Sequence, residues 1–323
     1  MKVLLSMART RHARVFHALA TGRRGVSGAL LALSLLEVIA PLPAHSGESP
    51  PIDTSRIVSI GGAVTETIYA LGLEGHIVGV DTTSLYPPEA LKRAPNVGYM
   101  RALSAEGILS LKPSWVIAIE GSGPPDALKL VGDTGVSLTM IHDDPSPDGV
   151  AAKIETIGKL LGAEEKAVTL ANETRARFAL VEHMRPQTPK PPRVLFVLSL
   201  QNGRPVVGGH GTAADAMIRL AGGANAAGAM EGYKPMTDEG VIAAAPDVIL
   251  KMNNANMVGG NDDIFSLPAF SVTPAAVNRA LIGMDGLYLL GFGPRSPDAV
   301  RELMADLYPT LTLPALSTPA DRQ

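Results

Sequence analysis

Tyr99 and Arg101, two apart in Gly98-Tyr99-Met100-Arg101, carry the most distinctive chemistry in the chain. A phenol is neutral near pH 7, because its pKa is about 10. Its anion is a hard oxygen donor that persists only beside a cation or under hydrogen bonds. An arginine is always charged, and at i+2 on an extended segment it shares a face with the tyrosine. The residues alone leave two readings open: a metal-binding phenolate, or a packed tyrosine whose hydroxyl is hydrogen-bonded.

Other chemistries find less support. The chain has no cysteine, which removes disulfides, thiolate zinc sites, cysteine nucleophiles, iron–sulfur clusters and a lipid-modified cysteine. No Gly-x-Ser-x-Gly elbow, His-Glu-x-x-His or Gly-x-Gly-x-x-Gly run occurs, so the common hydrolase, zincin and dinucleotide signatures are missing. His142-Asp143-Asp144 has metal-ligand residue types, but it lacks a second histidine and runs into Pro145-Ser146-Pro147. It reads better as a strand end and a helix-capping turn. Gly61-Gly62 and Gly208-Gly209 each precede a helix. Such loops either offer amides to an anion or satisfy turn geometry.

The elements that must position these residues begin behind a basic head. Six Lys/Arg and one Glu fall in the first 45 of 323 residues, leaving 22 basic and 30 acidic residues for the remainder. The whole chain has a formal net charge of −3, with 46% hydrophobic and 18% charged residues. A mildly acidic, apolar-rich chain is a folded protein without a nucleic-acid partner. Lys2 to Arg24 is a positive n-region, Val26 to Ala40 is apolar, and Ala40 or Ala44 could precede a cleavage site. Residues 1–44 therefore read as an export signal, and Arg23-Arg24 raises the twin-arginine route. The apolar run, interrupted by Glu37, is shorter than the roughly 18 residues a membrane anchor needs. A soluble protein of a Gram-negative periplasm is expected.

Strands at Arg56–Ile60, Ile77–Val80, Trp115–Ile119 and Val136–Ile141 alternate with helices at 63–71 and 105–111. This alternation predicts a parallel α/β sheet. From Asp148 to Arg185 there is no proline, and apolar residues recur with helical spacing. One long amphipathic helix is expected there, with Gly162 as its breaking point. The run Pro186 to Pro192 stops it, and Arg193–Leu200 opens a second α/β region. The expected organisation is a lobe over 55–147, a linking helix over 148–185 and a second lobe over 193–315.

The second lobe echoes the first. Gly98-Tyr99, Ser104-Ala105-Glu106-Gly107 and Pro113 recur in order as Gly232-Tyr233, Thr237-Asp238-Glu239-Gly240 and Pro246. Two similar lobes with a cleft between them follow from that repeat.

Several words of the sequence resemble the periplasmic haem-binding proteins of bacterial haem importers. They are Gly61-Gly62-Ala63-Val64-Thr65-Glu66, the run Asn96 to Gly107, Thr212-Ala213-Ala214-Asp215-Ala216-Met217, Gly232-Tyr233-Lys234-Pro235 and Met284-Asp285-Gly286-Leu287-Tyr288. These proteins belong to the helix-linked binding proteins that also carry cobalamin and ferric siderophores. The resemblance spans about Arg56 to Pro309. It implies that Tyr99 ligates ferric haem, a hard cation for which phenolate is a recognised ligand, and that Arg101 hydrogen-bonds the phenolate.

It also implies that Glu106 and Glu239 dock with the two permease subunits of an ABC importer, which works with its ATPase. The bland reading of both glutamates is helix capping. Tyr233, the repeat counterpart of Tyr99, would line the cleft from the second lobe by stacking on the porphyrin or supplying a second contact, against the alternative of a packing tyrosine. His210 is the best-placed histidine for a second haem, against the alternative of a solvent-exposed loop residue. A monomeric carrier, not an enzyme, is implied. The rivals are the same fold carrying cobalamin or a ferric siderophore and, more distantly, an exported α/β enzyme.

Overall fold

The computed structural model describes residues 53–188, 190–201, 204–253 and 264–316. The export-signal reading of residues 1–44 lies outside them. In the first lobe the chain runs through β1 (Ile57–Ile60), α1 (Gly62–Ala70), β2 (Ile77–Val80) and α2 (Ala90–Arg93). A short hairpin, β3 (Gly98–Tyr99) and β4 (Ala102–Leu103), precedes α3 (Ala105–Ser110), β5 (Trp115–Ile119), α4 (Pro125–Asp133) and β6 (Ser137–Ile141). The sheet is parallel in the order β2-β1-β5-β6. Every residue of β1 and β5 is buried. Strands covered on both faces read as continuous apolar runs, and for that reason these two were plain in the sequence.

The connector over 148–185 breaks where Gly162 was expected to break it, and the break makes it two helices. It consists of α5 (Pro147–Leu160) and α6 (Glu164–Met184), with Gly162 between them at φ 68°. A left-handed residue ends a helix and lets the chain reverse. The two pieces pack on each other, and Arg175 of α6 donates to Glu155 of α5 at 2.8 Å.

The second lobe contains β7 (Arg193–Gln201), β8 (Arg204–Gly208), α7 (Ala213–Leu220), β9 (Ala224–Asn225), β10 (Tyr233–Pro235) and α8 (Asp238–Ala244). After β11 (Val248–Met252) come the short helices α9 (Pro268–Ser271) and α10 (Pro274–Val277), then β12 (Leu281–Met284), α11 (Gly286–Leu290) and α12 (Ser296–Leu307). Its sheet order is β10-β8-β7-β11-β12, with β9 also on β7. β7, β11 and β12 are parallel, whereas β8 and β10 run antiparallel.

The internal repeat is structural as well as textual. Ser104 and Thr237 cap α3 and α8 by accepting from the amides of Gly107 and Gly240. Both helices end at a non-glycine residue with positive φ, Lys112 at 49° and Ala245 at 41°, one residue before a proline. An arginine at the start of each lobe's first strand, just before β1 and as the first residue of β7, stabilises that end. Arg56 Nε donates to the carbonyl of Lys112, and Arg193 Nε to that of Ala244, both at 2.9 Å. A guanidinium there meets unsatisfied carbonyls and the negative end of the helix dipole. One hydrophobic core runs through both lobes and includes Ile117, Ile154, Phe178, Phe196 and Leu303.

Candidate functional site

Tyr99 sits on the β3–β4 hairpin, beyond the carboxyl end of the first sheet. In open α/β sheets, ligands bind outside that end. The hairpin is held from three directions. Asn96 Oδ1 accepts from Gly98 N at 2.8 Å, Thr82 N donates to Gly98 O, and Gly123 N donates to Met100 O. The backbone is thus fixed while Tyr99 stays 44% exposed. A rigid base under an open side chain suits a ligand better than a packed core tyrosine. Arg101, in the hairpin turn, is exposed too.

Across the cleft, Tyr233 lies on β10 and meets Phe196 edge to face at 6.4 Å. Its residue keeps 37% exposure, but the hydroxyl is turned inward toward the start of α7. Burial pushes its pKa up; the Ala214 amide, the Thr212 hydroxyl and the positive charge of Arg101 act in the opposite direction.

His210 lies on the same rim, tied by its backbone to Met230 and Gly232. Its side chain is 70% exposed, with Nδ1 3.5 Å from the buried carboxylate of Asp215. The expected solvent-exposed loop histidine is what the geometry gives. His210 follows β8 by two residues, and β8 pairs with β10 at Gly208↔Tyr233.

The glycine loops do not offer anion sites. Gly61 N donates to Asp81 and Gly62 N to Thr83. In the second lobe, Gly209 N and His210 N are taken by Gly232 O and Met230 O. These amides satisfy turn geometry and leave nothing for a propionate. At the other apparent cluster, Ser146 caps α5 by accepting from Gly149 N at 2.9 Å, as the capping reading required. His142 pairs with Glu120 at 2.6 Å, and that hydrogen bond lowers the Glu120 pKa. Among the described residues, no group of three or more metal-ligating side chains forms.

Glu106 and Glu239 stand exposed in the first turns of α3 and α8. Neither makes an ion pair among the described residues, and each cap is supplied by the preceding Ser104 or Thr237. Capping therefore does not require the glutamates.

Sequence reasoning missed a polar cluster at the lobe boundary. Glu66 of α1 is buried and bonds Arg295, whose guanidinium lies over Tyr86. The signal was the run Gly291-Phe292-Gly293-Pro294-Arg295, where small and turn-forming residues bracket an aromatic and a cation.

The tyrosines also make an alkaline prediction. Tyr69, Tyr233, Tyr288 and Tyr308 have raised pKa values, with burial the largest cause in each. Unfolded tyrosines ionise near pH 10. The folded chain holds these protons more tightly, so the stability they contribute is full below about pH 10 and is lost as pH rises through the folded values. Urea midpoints should fall above pH 10, and Tyr288→Phe should reduce the fall. An identical pH profile for the parent and Tyr288→Phe would overturn this.

The geometry has known counterparts. The chain is 42% identical to the periplasmic haem-binding protein RhuT of Roseiflexus sp. RS-1 in apo form, with a TM-score of 0.75, covering 80% of this chain and 99% of that one. It is also 42% identical to the periplasmic haem-binding protein BhuT in complex with two haems, with a TM-score of 0.72, covering 78% and 98%. Among curated relatives, it is 30% identical over 262 residues to the uncharacterized ABC transporter substrate-binding lipoprotein YvrC of Bacillus subtilis (strain 168), covering 80% and 81%. The vitamin B12-binding protein of Yersinia pestis (strain Pestoides F) is 28% identical, covering 78% and 85%. The sequence profile described as "Periplasmic binding protein" matches residues 57–287. By that match and the two-lobed fold that accompanies it, the chain belongs to the periplasmic binding protein family.

Proposed function

We propose that the protein captures ferric haem between its lobes, through Tyr99, and delivers it to an ABC importer. One observation carries the reading. Tyr99 projects from a braced hairpin into solvent, and the exposed Arg101 stands two residues on in the same hairpin. A phenolate is an apt ligand for ferric iron, and the arginine favours the anion. The structural relatives that bind haem support this cargo over cobalamin, whose binding proteins match at lower identity. Tyr233, and His210 beside it, line the facing wall. The carrier acts as a monomer in the periplasm and performs no reaction on its cargo.

Hemin titrated into the purified protein should give a saturable ferric tyrosinate spectrum. Competition by cyanocobalamin, with no spectrum from hemin, would establish the other cargo and sink the proposal.

Glu106 and Glu239 are the docking points for the permease. Their placement at matching positions of two similar lobes suits a partner with two like subunits. Reversing both to lysine should leave hemin affinity unchanged and lower ATP-driven haem transport in proteoliposomes by about tenfold or more. Normal transport by the double variant would overturn the docking assignment.

A further inference from the structure

The loop between α11 and α12 crosses from the second lobe into the first and is gripped there at two places. Both carboxylate oxygens of Glu66 go to one residue of that loop. Oε1 accepts the Arg295 backbone amide at 3.0 Å, and Oε2 accepts its guanidinium at 2.9 Å. The Glu66 side chain is 5% exposed and that of Arg295 26%. A carboxylate this buried is tolerated only with its charge paired and its lone pairs used. The approach is close: a Cβ on Gly293 would lie 3.1 Å from Glu66 Cδ.

The second grip comes from the connector. Lys153 of α5, with a side chain 1% exposed, pairs with Asp143 of the first lobe and donates to the Phe292 carbonyl at 3.3 Å. Phe292 is buried at positive φ (47°), a conformation a bulky side chain rarely adopts. Surrounding contacts must hold such a residue in place.

The outer end of this assembly reaches the surface at Tyr86. The Arg295 guanidinium lies 3.4 Å from the centroid of Tyr86 and 5.2 Å from that of Tyr288. Tyr86 is 40% exposed and follows β2 in the segment whose Thr82 amide holds the Tyr99 hairpin. Apolar surfaces can slide past one another, but a carboxylate held by both a guanidinium and a backbone amide of one residue, beneath a stacked ring, fixes that residue's position.

From this arrangement we infer that Glu66, Arg295 and Tyr86 form a latch that holds the two lobes at one opening angle, with Tyr86 as its exposed end. Lobe separation requires the latch to open, so it sets the state from which a partner must pry the cleft. The inference concerns lobe geometry and stands whichever cargo the cleft takes.

The absence of native cysteine makes the test direct. Cysteines introduced at Leu130 and Val277, which are 55% and 80% exposed on the first and second lobes, accept spin labels and nothing else in the chain does. Pulsed-dipolar distances in the cargo-free protein should be narrow in the parent and should broaden and lengthen in Glu66→Gln and in Tyr86→Leu. Circular dichroism checks that each variant is folded. If Glu66→Gln fails to fold, Tyr86→Leu decides the matter, because its ring lies at the surface. Distances identical to the parent overturn the latch. So does a loss of hemin affinity with unchanged distances, which would make Tyr86 and Arg295 cargo contacts instead.

Discussion

Tyr99→Phe should abolish the ferric tyrosinate spectrum of the hemin complex and weaken hemin binding by more than about a hundredfold. The substitution removes one oxygen and keeps the ring, so packing on the hairpin changes little. The hairpin itself is set by backbone bonds from Asn96, Thr82 and Gly123, none of which involves the phenol. Any loss therefore reports the iron–oxygen bond. Outer groups that orient a metal ligand are worth about 10- to 100-fold in affinity, and the ligand itself must exceed them. Arg101→Met should fall within that lower range, because it removes only the charge that favours the phenolate. His210→Ala and Tyr233→Phe should cost less than Tyr99→Phe; for Tyr233, burial raises the phenol pKa and disfavours the anion a ligand would need. Equilibrium titration with stopped-flow dissociation measures all four. Retention of spectrum and affinity by Tyr99→Phe, or their loss in His210→Ala alone, would reassign the ligand.

The legible and illegible parts of this fold divide by physical cause. β1 and β5 were legible because strands buried on both faces are apolar throughout, and β5 occupies Trp115–Ile119 as expected. The repeated glutamate helices were legible because Ser104 and Thr237 are cap residues at matching distances from a proline. The β3–β4 hairpin was not, since its strands have two residues each and depend on bonds to Thr82 and Gly123, distant in sequence. The sequence singled out Tyr99 and Arg101 without showing the element that presents them. In the mixed second sheet β10 had no buried residue to mark it, and the antiparallel direction of β8 leaves no trace in its apolar pattern. Glu66 was read as a residue of α1, but its partner stands 229 positions away. Pairings of that span leave no periodic trace.

The largest stability effect is expected at Gly158, within α5 of the connector. Over 148–185 the periodicity suited one helix as well as two, and Gly158 resembled any tolerated helix glycine. In the structure it is the contact point of the hairpin: an added Cβ would stand 2.1 Å from the Ala167 Cβ. No real pair of carbons sits so close, so any side chain forces α5 and α6 apart. Gly158→Leu should therefore destabilise the protein by about 3 kcal/mol, at the upper end of overpacking costs. For a chain of this size that lowers Tm by roughly 6–12 °C.

Gly162 provides the contrast. It has φ 68° and nothing within 4 Å of an added Cβ, so Gly162→Ala should cost only about 1–2 kcal/mol, the strain of a left-handed alanine. Compensation identifies the mechanism. Ala167→Gly removes the opposing methyl, and in that background Gly158→Ala should recover most of its lost stability, so the pair is strongly non-additive. Thermal and urea unfolding of the four combinations of residues 158 and 167 measure the coupling. Additive effects would mean that the two helices do not meet at this point, and a harmless Gly158→Leu would mean that they do not pack closely at all. Because α5 also carries Lys153 to the Phe292 carbonyl, displacement of this helix should reach the lobe boundary. Gly158→Leu should accordingly broaden the same spin-label distances that report the latch.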